Sequence, residues 1–453
     1  MTNRFLILSC VFSAAFLLLK PAQAQNCSFI YEESSKMRKP EFASYNVWST
    51  ERGEVENQEI YRSATLGPQG AIILAGERQG ERIKNKELIL AQLGNRGRIS
   101  WEKFYPVEGL ENAVKILPHK NGFMVLANVQ TGKSRDEIWI GFFDALGKLT
   151  DQKTIANKTA GLEAFDIIAD PKGRGFILAA TIAKNDEAHP VSSVLYRLDM
   201  SGKVLSDTAF ILGSENRILG LSSDGIGGFI ATGFSQGTDG RKNGWIMRLD
   251  DSLGIVWQQA YPRGAGASLT KGMMMLKNNI AVVGTSSPAV KEGLRAGWVM
   301  VVDFATGTPI WQRFYSSDVH YAGRDITISK DGVISVVMDG DAEKKSQEQD
   351  YAQLITLDPR GFVMASDVFY NGEGVDVHSM IEGPAHERIL IGKTQVAHQI
   401  PKLSPKDPAK DPGQKIPEDE KFDVKRSQQG WVLAATAVDP YKDPCVQSFT
   451  TLP

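Results

Sequence analysis

The sequence is poor in cysteine, carries no strong excess of charge of either sign, and has only one long apolar run. Cysteine occurs three times in 453 residues, at Cys10, Cys27 and Cys445. Lys and Arg number 51 against 53 Asp and Glu, a formal net charge of −2, so no basic surplus points to nucleic acid or anionic lipid as a partner. Past the N-terminus no segment approaches the ~18 apolar residues of a membrane span. The six histidines, His119, His189, His320, His378, His386 and His398, lack the His-Glu-x-x-His spacing of a metal site. His378 and His386 flank one turn and read as surface residues. No serine is assigned as a nucleophile. Met338-Asp339-Gly340-Asp341 offers calcium-friendly oxygens without the rest of an EF-hand loop. No catalytic residue and no metal ligand is assigned.

The one apolar run is at the start. Arg4 precedes Phe5 to Leu19, and Ala22-Gln23-Ala24 supplies small residues for cleavage. Residues 1–24 therefore read as a secretory signal peptide, with an N-terminal anchor helix as the alternative. Cys10 lies too early for a lipid anchor, and Ala24-Gln25-Asn26 before Cys27 is no lipobox. Cleavage removes Arg4 and Lys20 and shifts the net charge from −2 to −4. The expected location is periplasmic or secreted, where disulfides persist. Cys27 and Cys445, one near each end, are then expected to pair; two free thiols would each need burial.

What is abundant is turn glycine at a fixed period. Gly97, Gly147, Gly202, Gly254, Gly307 and Gly361 close similar turns, at spacings of 50, 55, 52, 53 and 54. Between them Gly70, Gly122, Gly175, Gly228 and Gly332, with Asn279 in the same role, each open an apolar run. Each period reads as two hairpins, strands A, B, C and D, with nearly continuous apolar runs suited to strands covered on both faces. The eight tryptophans fall at two register positions: Trp139, Trp245, Trp298 and Trp431 in strand C, and Trp48, Trp101, Trp257 and Trp311 in strand D. They read as packing between successive units.

Repetition of four-stranded units at this period predicts an all-β fold, a seven-bladed β-propeller. Trp48 marks a strand D with no preceding A, B or C, and Trp431 a strand C with no following D. The propeller is thus expected to close by an N-terminal strand pairing into the C-terminal blade. A disulfide between Cys27 and Cys445 would staple that seam. Residues 25–44 form an N-terminal segment and 45–448 a single propeller domain. Within it, 395–421 reads as a Pro- and Lys-rich disordered insertion. Were residues 422–438 a new hairpin, the count would be eight.

Asp303-Phe304-Ala305-Thr306-Gly307-Thr308-Pro309-Ile310-Trp311 resembles the tryptophan-docking repeat of pyrroloquinoline-quinone propellers and their non-enzymatic relatives. Asp250 to Gly254 with Trp257 matches it more loosely. The quinoprotein dehydrogenases of that family carry adjacent cysteines, and c-type haem partners carry Cys-x-x-Cys-His; this sequence has neither. The resemblance therefore implies the fold, no cofactor, and kinship nearer to envelope scaffold propellers, including outer-membrane assembly proteins.

Acidic residues recur where strand A begins: Glu56, Glu111, Glu163 and Glu215, at intervals of 55, 52 and 52. In a propeller these positions ring one mouth of the central channel, where carboxylates could hold a cation or an ammonium-bearing ligand. The alternative is that each Glu-Asn pair bonds backbone at a blade junction. Long charged B–C loops lie on the same face, where a rigid disk ordinarily binds. The expected function is an envelope binding or assembly scaffold for an unknown protein or polymer, monomeric, without nucleic acid and without a membrane span once the signal is cleaved. The alternative is a carbohydrate-active or other hydrolase or lyase with carboxylates around the channel.

Overall fold

The computed structural model describes residues 31–33, 46–131, 135–183, 191–275, 278–287, 293–316, 319–341, 349–401 and 422–436. Cys27 and Cys445, the signal segment and most of the 25–44 segment lie outside them. Among the described residues the only helical pieces are two short 3-10 turns, Pro68–Gly70 and Asn95–Gly97. All other regular structure is strand, in the order the glycine series dictates.

Repeat I consists of Asn57–Leu66, Ile72–Gly80, Glu87–Leu93 and Ile99–Pro106, each antiparallel to the next. The following repeats open with inner strands Leu110–His119 (II), Gly161–Ala169 (III), Glu215–Ser223 (IV), Gly266–Met275 (V), His320–Ile328 (VI) and Gly374–Glu382 (VII). The arrangement is a β-propeller. Five four-stranded sheets stand separately and a sixth has nine strands, in place of seven or eight separate blades. The larger sheet arises because repeats IV and V share one parallel bridge, Lys242 to Gly266, while Tyr31–Glu33 adds to the outer edge at Pro309–Ser316.

Asn46–Arg52 pairs with Phe422–Ala435, which also pairs with Arg388–Pro401. Residues 422–435 are thus a strand C, and the hairpin that would have given an eighth blade does not form. The insertion expected at 395–421 also starts later. Residues 395–401 continue strand B as a ladder with 422–428, which satisfies their backbone groups, and only 402–421 fall outside the described residues.

The core lies between sheets, which is why the apolar runs barely alternate. Ile73, Leu88 and Leu90 of repeat I pack on Ile116, Phe123 and Val125 of repeat II. Ile389, Ile391 and Val432 of repeat VII pack on Tyr61, Leu74 and Ile89 of repeat I. Burying each such aliphatic side chain contributes roughly 1.5–3 kcal/mol before entropy is counted.

The outer rim explains the tryptophan–glycine rhythm. Asp144, Asp199, Asp250, Asp303 and Asp358 each accept backbone N–H groups two or three residues on with Oδ1, fixing the C–D turn. The turn then needs a left-handed residue, and Gly97, Gly147, Gly202, Gly307 and Gly361 have φ of 71°, 76°, 79°, 72° and 85°. In repeat IV that position is held by Leu253 (φ 68°), one residue before the expected Gly254; its side chain is buried, which offsets a strain of roughly 1–2 kcal/mol. A Cβ on Gly97, Gly147, Gly307 or Gly361 would sit within 3.0 Å of the ring of Trp48, Trp101, Trp257 or Trp311 in the preceding unit. Trp257 Nε1 and Trp311 Nε1 donate to the carbonyls of Phe304 (2.9 Å) and Pro359 (3.1 Å) in those turns. Strand-D tryptophans therefore dock one unit onto the next, whereas Trp139, Trp245, Trp298 and Trp431 are buried between sheets.

Candidate functional site

Every inner strand slips register at the same place, and Leu110–His119 slips once more between Leu110 and Asn112. The slips bracket Arg62, Val114, Phe165, Leu219, Thr270, Arg324 and His378. A bulged residue drops out of the ladder and has its side chain re-aimed. On the innermost strand of a propeller this makes a ring at mid-channel. The ring has two halves: Val114, Phe165 and Leu219 form an apolar arc over repeats II to IV, and Thr270, Arg324, His378 and Arg62 a polar arc over V, VI, VII and I.

Buried carboxylates stand behind that ring, and each is occupied. Glu77 Oε2 accepts the N–H of Ala113 in the next repeat (3.1 Å) while Oε1 accepts Arg62 Nη2 (2.7 Å). Asp339 repeats the device: Oδ1 accepts Val377 N–H (2.7 Å) and Oδ2 accepts Arg324 Nε. One residue past the bulge, Asp166 accepts Leu221 N–H (2.7 Å) and pairs with Lys115; Asp325 accepts Met380 N–H (2.8 Å) and Lys271 Nζ (2.6 Å). Asn128 and Ser193 do the same without charge, accepting the N–H groups of Ala164 (2.8 Å) and Ile218 (2.9 Å). These side chains bracket one repeat to the next, and losing one would strand a buried donor.

Burial raises the Asp339 carboxyl to about 6, against the opposing pull of Arg324 and the Val377 N–H. Burial lowers Lys271, but Asp325 and then Asp166 outweigh it and leave its pKa above the ordinary value.

His378 is not the surface residue its turn suggested. Its Nε2 lies 3.2 Å from Arg62 Nη1. A guanidinium can only donate, so Nε2 accepts and the proton of the neutral ring resides on Nδ1. Burial, followed by the charges of Arg62, Arg324 and Lys393, holds its pKa well below the ordinary value. The other described histidines have local duties. His119 is buried against Phe142 and Phe176, His320 Nδ1 accepts Arg295 N–H, His386 is exposed beside Glu382, and His398 bonds Ser427. His189 lies outside the described residues. Among the described residues no group of three His, Cys, Asp or Glu is placed to hold a metal ion.

The four recurring glutamates all stand at the start of inner strands, on one rim. Each meets a cation there. Glu56 pairs with Arg82 at 3.3 Å, and Arg217 bridges Glu163 (2.9 Å) and Glu215 (2.7 Å). Lys86 reaches the carbonyl of Glu111 (2.7 Å), whose carboxyl is pushed up by burial and by nearby Asp136. Of the neighbouring asparagines Asn216 carries a junction bond: its Oδ1 accepts Ser193 N–H at 2.9 Å and it is fully buried, whereas Asn57 and Asn112 donate locally, to Glu54 and to the Ala113 carbonyl. Exposed ion pairs of this kind contribute roughly 0–1 kcal/mol each.

Sequence reasoning picked out these four glutamates but gave no bracketing role to Glu77, Asp166, Asp325 or Asp339 and did not show the bulge ring. The ring does have a period, with intervals of 52, 51, 54, 51, 54 and 54. Its residue types differ, however, so nothing marks it until the register is known.

The same face carries one further feature. Strands B and C of repeat VII run 14 residues each, against 7 to 10 in the inner and middle strands elsewhere. Strand A stops at the Gly374–Gln395 pair, and strand 46–52 stops at Arg52–Gly430. The pairs from Val396–Ser427 to Pro401–Phe422 therefore stand off the sheet as a two-stranded ribbon, roughly 20 Å long at about 3.3 Å per residue. Lys425 ties it to Glu81 of repeat I (2.8 Å), and Arg426 ties it to Glu373 (2.7 Å).

No protein-family model and no curated protein sequence matches the chain. Solved structures similar to it include an α-L-arabinanase from Penicillium chrysogenum, at 12% identity over 70% of this chain and 99% of the other, TM-score 0.45. A subtype N10 neuraminidase-like protein of a little yellow-shouldered bat isolate is 9% identical over 87% and 100%, TM-score 0.40. A protein of unknown function from Bacteroides caccae is 11% identical over 69% and 94%, TM-score 0.39. At such identities no residue role passes from them to this chain.

Proposed function

We propose that this chain is an exported binding propeller, a scaffold for an envelope protein or polymer, and that it works through the face carrying the D–A and B–C connections. The observation that carries the reading is the repeat VII ribbon, because it raises unpaired strand edges and charged side chains off that one face. Unpaired edges are where an extended partner segment adds most readily. Glu56, Glu111, Glu163 and Glu215 belong to the same surface, as a partly neutralised acidic rim. Glu77, Asp166, Asp325 and Asp339 are committed to backbone N–H groups, which favours a scaffold over a hydrolase that would need them free.

On this reading repeats IV and V are two blades sharing one bridge, the count is seven, and strand 46–52 closes the ring. Docking of Trp257 on the Gly307 turn supports kinship with the non-enzymatic quinoprotein-type propellers. A signal peptide over 1–24 and a Cys27–Cys445 disulfide complete the proposal for a periplasmic or secreted monomer.

The test is to replace residues 396–427 by a two-residue turn, which leaves the four-stranded sheet intact. Wild type is expected to cross-link a specific partner in envelope extract, and the trimmed chain to lose it without a change in melting temperature. Equal capture by both chains, or none by wild type, would overturn the reading.

A further inference from the structure

We propose that the polar arc of the channel, between Arg62, His378 and Arg324, is a binding site for a small oxyanion bearing a carboxylate or phosphate group. The arc brings three repeats together at one height, because Arg324, His378 and Arg62 are the bulged residues of VI, VII and I. Their counter-charges sit behind them. The Glu77 and Asp339 side chains are 4% and 3% exposed, against 29% for Arg62 and 43% for Arg324. A solute in the channel therefore meets the guanidinium groups with the Glu77 and Asp339 carboxylates turned away and engaged by Ala113 and Val377 N–H. Asp376, paired with Lys393, and Asp341, paired with Arg295, are the more exposed carboxylates that also act on Arg324.

The donors left over suit an oxyanion. Among the described residues Arg324 is hydrogen-bonded only through Nε, so its Nη1 and Nη2 groups remain as a fork of the kind that grips carboxylate or phosphate in two places. With Nε2 accepting from Arg62, His378 offers Nδ1–H as a further donor. Ser379 Oγ, next in the chain, is buried and has no hydrogen-bond partner among the described residues. A small cleft of about 40 Å³ lies where repeat VII meets Asp350 of repeat VI, with Asp376, Lys393, Gln395 and Gln428 among its walls; the three arc residues do not line it. Lys393 pairs with Asp376 at 3.0 Å and adds a third cation near His378. The opposite arc of Val114, Phe165 and Leu219 offers no such donors, so an anion is directed to one side of the channel.

The experiment is calorimetric titration of the signal-free full chain with inorganic phosphate and, separately, with citrate, against chloride at matched ionic strength. Saturable binding of either probe is expected, and which probe binds distinguishes phosphate from carboxylate. Arg324→Gln should weaken it about tenfold, the loss expected when one charge-assisted fork goes. Arg324→Lys keeps the charge beside Asp339 and loses only the fork; it should also weaken binding several-fold, and it decides the matter if Arg324→Gln does not fold. Arg217→Gln on the rim should leave binding unchanged. Binding of neither probe, or equal binding by wild type and both Arg324 variants, overturns the proposal.

Discussion

The outer rim and the channel wall repeat with nearly the same period, yet they hold their residues to different standards. At the rim the same pair recurs: a strand-D ring on a turn residue with left-handed backbone, Trp48 on Gly97, Trp101 on Gly147, Trp257 on Gly307 and Trp311 on Gly361. At the wall only the geometry recurs. Each inner strand bulges at one height, and the bulged residue is Arg, Val, Phe, Leu, Thr, Arg or His in turn. The Trp–Gly contact takes the same form at the four junctions where it occurs, so one residue solution serves them all. A wall position faces a shared space, where the units are free to differ. The rim therefore carries stability and the wall carries whatever discrimination the molecule has.

Substitutions on the two regions should separate them. The largest effect is expected from Gly307→Ala, which puts a Cβ 2.7 Å from the Trp257 ring at a φ of 72°. Strain of roughly 1–2 kcal/mol and displacement of the ring together should cost about 2–4 kcal/mol, read as a lowered denaturation midpoint. A shift too small to resolve would mean the rim does not lock the units. At the bracket behind the wall, Glu77→Ala leaves the Ala113 N–H without its acceptor and should cost about 2 kcal/mol. Glu77→Gln keeps an acceptor there, so it should cost distinctly less; equal losses would argue that charge, not the backbone bond, is what Glu77 supplies.

The smallest effect is a pH dependence. His378 binds its proton more weakly folded than unfolded. Its contribution to stability is therefore present above the unfolded pKa of about 6.5 and is lost as the pH falls below it. Asp339, raised to about 6, acts in the opposite sense: the folded state holds the extra proton between about 4 and 6, and stability falls as the pH rises through that window. Melting curves from pH 5 to 8 should show His378→Asn losing less stability on acidification than wild type. Parallel curves would remove His378 from the pH response. Arg62, Glu77, Arg324, Asp339, Asp376 and Lys393 are the charged groups that surround it.

How much of this was legible in the sequence follows the same division. The turn aspartates, the glycines and the tryptophans could be read directly, because a tight turn and a docked ring each demand a particular residue type. Even there Leu253 escaped, since burial of its side chain overrode the preference for glycine at a left-handed position. The four glutamates were picked out by their spacing, but the cations that meet them were not: Arg82 and Lys86 come from the loop after strand B, and Arg217 reaches Glu163 from the next repeat. Glu77 looked like an ordinary charged residue of a strand-to-loop passage, and Asp339 stood out only for its calcium-friendly oxygens. Their role depends on a neighbouring repeat about 36 to 38 residues further along the chain, which only the register reveals.

The pairing of Asn46–Arg52 with Phe422–Ala435 bears on how such a chain reaches its folded state. Ser49 meets Leu433, so a strand early in the described chain is matched to one at its far end. If the chain emerges N-terminus first, that strand has no partner until almost every other residue has arrived. Contacts so far apart in sequence form late, and an unpaired strand is meanwhile a template for the wrong neighbour. Asn46–Arg52 carries Glu51 and Arg52, both exposed, among its seven residues. A charged strand of that length makes a poor template while it waits.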